Sequence, residues 1–145
     1  MDNYILKNAQ IYTETYKIDH GYIEVRNGCI HDIQEGEYTG TLHTIDANGQ
    51  HVLPGFIDIH IHGGYGQDAM DATPETLNVL SEKLLSEGTT SFLATTMTQS
   101  TEAINAALEN VANYKQIDDK RAEILGVHLE GPFISEHKVG AQNPA

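Results

Sequence analysis

The sequence predicts an α/β protein: the first three strands of a (β/α)8 barrel, preceded by a small antiparallel β-sandwich-type layer. Three observations predict it. Residues 1–50 are short alternating apolar runs broken by turn residues. Residues 51–145 alternate β-rich apolar runs with segments of helical period. The first of those β-rich runs closes on His60-Ile61-His62-Gly63-Gly64. Period-two runs with turn signals mark hairpin strands, whereas strand–helix–strand alternation marks parallel βαβ units.

In the first region, Tyr4-Ile5-Leu6, Gln10-Ile11-Tyr12, Tyr22-Ile23-Glu24-Val25 and Cys29-Ile30-His31-Asp32-Ile33 read as strands. Asn27-Gly28 between the last two is a strong two-residue hairpin signal, because both residues tolerate positive φ. Glu35-Gly36-Glu37, Gly40 and Asn48-Gly49 mark further turns. No chemistry is evident here, and His20, His31 and His43 read as surface or turn polarity.

The pattern changes after Gly49. Val52–Ile61 is expected to be the first strand of the second region, and its apolar Phe56, Ile57, Ile59 and Ile61 predict burial. Thr73-Pro74-Glu75 supplies an N-cap, a first-turn proline and a first-turn acid; Leu77, Leu80, Leu84 and Leu85 follow at helical spacing, and Gly88 ends the helix. Thr90–Thr96 is the second strand. A second helix is expected from near Ser100, with Ile104, Ala107, Leu108, Val111 and Ala112 on one face. Ile124–Leu129 is the third strand and runs into Glu130-Gly131-Pro132. A closed TIM-like barrel takes about 250 residues. Three strands are therefore read as the N-terminal portion of a longer, truncated architecture, with domains at 1–50 and 51–145.

The bulk properties narrow the function. The chain has 145 residues, 39% of them hydrophobic, which suits a globular protein with a real core. A formal charge of −13 argues against nucleic acid or an anionic membrane surface as partner. No apolar run approaches the roughly 18 residues of a membrane span. Cys29 is the sole cysteine, so no intramolecular disulfide can form; it reads as a small buried hydrophobe in a protein of the reducing cytoplasm. The first residues lack the basic and apolar regions of a signal peptide.

Successive side chains alternate on a strand, so His60 and His62 share a face at the strand's end. In a parallel barrel the strand C-termini form the active mouth, which brings Glu130, after the third strand, to the same place. Two imidazoles and a carboxylate suit a divalent zinc, iron or manganese ion. Such an ion lowers the pKa of water and polarises a carbonyl. His128 shares the side of Glu130 and reads either as an orienting partner or as a packed core histidine. Asp58 faces the same way as the histidines. It reads as their support or as part of the lower barrel layer, with a substitute general base as the less favoured alternative. Asp68 and Asp71 read as turn and cap residues, and His137 and Lys138 as solvated loop residues.

Gly55-Phe-Ile-Asp-Ile-His-Ile-His-Gly63, Leu129-Glu-Gly-Pro-Phe-Ile-Ser135 and Lys138-Val-Gly-Ala-Gln-Asn-Pro144 together resemble the N-acetylglucosamine-6-phosphate deacetylases of the metal-dependent amidohydrolase superfamily. His-x-His is shared across that superfamily, whereas Leu-Glu-Gly-Pro-Phe followed by Gly-Ala-Gln-Asn-Pro is specific to the deacetylases. The resemblance covers essentially the whole chain but only the first third or so of the family's length. It implies hydrolysis of N-acetylglucosamine 6-phosphate, an amino sugar phosphate, to glucosamine 6-phosphate and acetate. It implies Glu130 as principal metal ligand, with His60 and His62 matching a strand-one pair that some members replace. Retention of both implies one or two ions per intact subunit. It implies Ala141 and Gln142 as substrate-binding residues: Ala141 matches a position whose backbone contacts substrate, and Gln142 a neighbouring one that is often histidine. The catalytic aspartate, two further metal-binding histidines and most phosphate contacts would come from later strands, so this chain by itself is expected to be inactive. A homodimer is implied for the intact protein. Two other readings remain open: a different amidohydrolase (a cyclic amidase or a deaminase), or a non-catalytic module that binds metal or a partner.

Overall fold

The computed structural model describes residues 3–114 and 120–142, which divide into two compact units between Pro54 and Gly55. Asn143 and Pro144 of the last motif lie outside the described residues. Among the described residues, no helix is long and apolar enough to cross a membrane.

The first unit is a five-stranded sheet: β1 (Asn3–Tyr12), β2 (Lys17–Arg26), β3 (Cys29–Glu35), β4 (Thr44–Asp46) and β5 (His51–Val52). β1, β2 and β3 form an antiparallel meander, and Asn27 and Gly28 both take positive φ at the β2–β3 turn. The two apolar runs of residues 4–12 are one strand, irregular near Asn8, which sits at φ 56°. Asn8 is short and polar enough to tolerate that conformation. β4 and β5 both pair parallel to β1, which makes the sheet mixed rather than purely antiparallel. The turn at Asn48-Gly49 lies beside the irregularity, with the Gly49 N–H donating to the Asn8 carbonyl at 2.7 Å. Val52 thus belongs to the first sheet, and the unit boundary falls at Pro54 instead of residue 50. The core is Ile5, Ala9, Ile11, Ile18, Ile23 and Val25; the period of two holds along β1 and from Gly21 to Val25, and the register shift between Ile18 and Gly21 puts Ile18 out of phase. Cys29 is exposed, contrary to the burial expected of it, because it opens β3 directly after the turn.

The second unit begins with β6 (Phe56–Ile61), followed by a small hairpin of β7 (Gly63–Gly64) and β8 (Gln67–Asp68) and a 3₁₀ turn at Ala69–Asp71. Asp68 and Asp71 cap that turn reciprocally, as expected of them. α1 (Pro74–Leu85), β9 (Thr89–Thr95), α2 (Thr101–Asn113) and β10 (Glu123–His128) complete it. Thr73 caps α1 by accepting from the Thr76 N–H, and Ser100 caps α2 by accepting from the Ala103 N–H. The three long strands are parallel in the order β10-β9-β6, so α1 and α2 are the crossovers. Leu80 and Leu84 of α1 pack with Phe92 and Ala94 of β9. Burying a phenylalanine completely contributes roughly 1.5–3 kcal/mol.

The expected burial of the first strand of this unit is corrected. Phe56, Ile57 and Ile59 are 61%, 60% and 64% exposed. Among the described residues β6 pairs only with β9, so it is an edge strand, and of its aliphatic residues only Ile61 reaches the core cluster.

Candidate metal centre

β6 delivers the two histidines. Its pleat puts both on one face, with the Nε2 atoms 3.4 Å apart. Glu130 arrives on the loop after β10, and its Oε2 lies 2.8 Å from His60 Nε2 and 3.2 Å from His62 Nε2. Although Glu130 lies some seventy residues beyond the two histidines in sequence, the three side chains form a triangle of potential ligand atoms.

Hydrogen bonds do not account for this triangle. Glu130 Oε2 is buried and makes no aligned hydrogen bond to either imidazole, and among the described residues the buried His62 Nδ1 has no hydrogen-bond partner. Ligands around a tetrahedral zinc at bond lengths near 2.0–2.1 Å are themselves about 3.3 Å apart. Two imidazoles and one carboxylate at these separations therefore fit a divalent ion in charge, softness and spacing.

The surrounding groups hold the triangle in place. Ile61 N–H, between the histidines, donates to Thr95 Oγ1 at 2.9 Å. Glu130 N–H donates to Thr96 Oγ1 at 3.1 Å, and Thr96 N–H donates to the His128 carbonyl at 3.0 Å. Thr95, the last residue of the central strand, thus holds the β6 backbone between the histidines, and Thr96, just past that strand, holds the backbone of Glu130 on the loop after β10. Both threonines are fully buried. The His128 ring packs against that of His60, tilted by 44° with centroids 4.4 Å apart. Its Nδ1–H donates to the Ile59 carbonyl at 2.8 Å, so His128 acts on its neighbour's orientation. Asp58 accepts from the His60 backbone N–H at 3.0 Å, a local supporting role.

Two glycines are dictated by close approach. Gly131 has φ +73°, and a Cβ there would lie 2.2 Å from Thr98 Oγ1. Gly63 faces the Gln67 carbonyl, which a Cβ would meet at 2.1 Å. The β7–β8 hairpin thus explains Gly63.

Of the two expected substrate contacts, Ala141 is exposed in the turn after Val139. Gln142 turns inward instead. Its amide nitrogen donates to Glu130 Oε1 and its amide oxygen accepts from the Thr98 N–H at 3.1 Å. His137 and Lys138 are on the exposed loop, as read from sequence. Thr95, Thr96 and Thr98 were missed as functional residues. Their only sequence signal is three threonines at the C-terminal end of a β-rich run, which β-propensity alone explains.

Residues 51–140 match the model of the Amidohydrolase family. The chain is 44% identical, over 97% of its length, to N-acetylglucosamine-6-phosphate deacetylase of Bacillus subtilis, and covers 37% of that protein. It is 37% identical to the enzyme of that name from Lysinibacillus sphaericus, covering 95% of this chain and 36% of the relative. The crystal structure of N-acetylglucosamine-6-phosphate deacetylase from Pasteurella multocida superimposes with a TM-score of 0.86 at 30% identity, over 97% of this chain and 37% of that one. The chain thus spans somewhat more than a third of the length of these proteins.

Proposed function

The chain belongs to the amidohydrolase family, and on that premise we propose that the whole protein removes the acetyl group of N-acetylglucosamine 6-phosphate, giving glucosamine 6-phosphate and acetate. The observation that carries this is the convergence of His60 Nε2, His62 Nε2 and Glu130 Oε2, on a chain 44% identical to a deacetylase of that specificity. The same reading takes the second unit as the opening strands of a (β/α)8 barrel, with its mouth at the ends of β6 and β10.

His60, His62 and Glu130 are proposed as the protein's ligands to one or two zinc, iron or manganese ions. The chemistry such an ion supplies when bound is Lewis acidity, which brings the pKa of water towards 7 and polarises an amide carbonyl. The chain's own part is to hold three donor side chains at one spot. Ala141, exposed next to Gln142, is proposed to offer its backbone to the substrate. Proton transfer from the attacking water to the leaving amine needs a general base. We propose that an aspartate outside residues 1–145 supplies it. A cytoplasmic homodimer is proposed for the whole protein on the same resemblance.

The test is acetate release from N-acetylglucosamine 6-phosphate by a polypeptide of the relatives' length that carries this sequence. Release is expected, and is expected to disappear with a chelator and with Glu130→Gln. Glu130→Gln should also lower Co(II) affinity by at least about a hundredfold, since removing a ligand exceeds the effect of removing an outer partner. Release that survives both treatments would remove the assignment of the site. Absence of release from this substrate would remove the assignment of the reaction.

A further inference from the structure

The two carboxylate oxygens of Glu130 have different surroundings. Oε2 is the one near both imidazole nitrogens, while Oε1 accepts from the side-chain amide of Gln142. That amide is oriented by a second partner of opposite kind. The Thr98 backbone N–H can donate only to an oxygen, and the Gln142 oxygen receives it at 3.1 Å. The amide nitrogen is therefore the end left facing Glu130. Thr98 is 5% exposed, and Gly131, next to Glu130, packs against its side chain with no room for a Cβ. The loop after β10 thus closes on β9 through Gln142, with Glu130 between them.

We infer that Gln142 is a positioning residue of the metal centre: by holding Glu130 Oε1 against the fixed Thr98 amide, it leaves Oε2 as the single oxygen offered to the ion. The inference rests on the reading of His60, His62 and Glu130 as ligands. A carboxylate without such a partner can rotate, present either oxygen or present both. Fixing it before the ion arrives removes that ordering cost from binding and favours one-oxygen coordination. Gln142 is placed by this among the residues that act through Glu130, whereas its sequence position suggested a substrate contact. With both ends of its amide engaged, only one N–H and one lone pair are left for any other partner.

The experiment is Co(II) titration of a purified polypeptide of the relatives' length that carries this sequence, wild type against Gln142→Met, which keeps the length and removes both the donor and the acceptor. The variant is expected to bind Co(II) about ten- to a hundredfold more weakly, the range found for outer-shell partners of metal ligands. Its visible Co(II) spectrum should also change, because a carboxylate free to use both oxygens alters the coordination. Amide hydrogen exchange at Thr98, followed without metal, should accelerate in the variant. Gln142→Asn, one methylene too short to span Thr98 and Glu130, should behave likewise, and it provides the comparison if Gln142→Met does not fold. A wild-type chain that binds no Co(II) would remove the metal reading and this inference together. Equal affinity and identical spectra in wild type and variants would remove the inference and leave the metal reading standing.

Discussion

In the first unit the side chains of Ile5, Ile11, Ile18 and Ile23 are inside and the titratable groups are outside: His20, His31 and His43 are exposed, and Asp46 ties down its own turn. In the second unit the order is partly reversed. Thr95, Thr96 and a carboxylate oxygen of Glu130 are buried, while Ile57, Ile59 and Phe133, the last 99% exposed, face outward. The first arrangement is what stability alone favours. The second buries polar groups that cost free energy unless each is paired, and it pairs them so that three donors are left pointing at one spot. Exposed apolar side chains occur in the first unit as well, Ile30 at 65% among them, so the buried polar groups are what set the second unit apart.

The contrast can be broken most directly through the two cores. Phe92→Ala should lower unfolding stability by about 3–5 kcal/mol, read by urea denaturation. It should also weaken Co(II) binding, because Phe92 lies on the strand that carries Thr95 and Thr96. Ile11→Ala, a core substitution of about 2–5 kcal/mol in the first sheet, should leave Co(II) affinity unchanged. If Ile11→Ala weakened binding as much as Phe92→Ala, the division of labour between the units would be wrong.

A finer probe is Thr96→Val, nearly equal in size but without the acceptor for the Glu130 N–H. Leaving that backbone donor unpaired costs roughly 1–3 kcal/mol. Loss of Co(II) affinity beyond the loss of stability would tie Thr96 to the site, and an unchanged affinity would make it a packing residue only.

The smallest effect concerns the first unit. The Asn48 backbone N–H and, after it, the Asn8 side-chain amide hold the Asp46 carboxyl below the usual carboxylate range. A pKa lower in the folded than in the unfolded chain means stability that is present above the unfolded value. It is lost as pH falls through the folded one. Asp46→Asn should therefore reduce stability slightly near neutral pH and not at all in strong acid, as thermal melts across pH 2–7 would show. Co(II) affinity should be the same throughout.

Much of this was legible in the residues because it is local. Asn27-Gly28, Thr73-Pro74 and Ser100 act within a few positions of themselves, so the hairpin and both helix starts could be read directly. His60 and His62 needed only the strand period, and Glu130 only the rule about strand ends. The parallel pairing of β4 and β5 with β1 had no comparable signal, since it joins residues some forty positions apart through backbone atoms that every sequence shares. Exposure of Ile57 and Ile59 was hidden for a related reason: an apolar run predicts a wish for burial, and the neighbours decide whether it is granted. Gln142 illustrates the same limit, because its partners Thr98 and Glu130 lie on other elements.

The central strand β9 carries none of the three ligand atoms, yet its neighbouring threonines reach the β6 backbone on one side and the Glu130 backbone on the other. It serves as a ruler for the site. Lengthening either helical crossover changes how far the chain travels between ligands without changing where they meet. Sliding β9 by a single residue exchanges the faces of Thr95 and Thr96 and misplaces both flanks together. The spacing of the ligands is therefore insensitive to insertions in the helices and acutely sensitive to register in a strand that touches no ion.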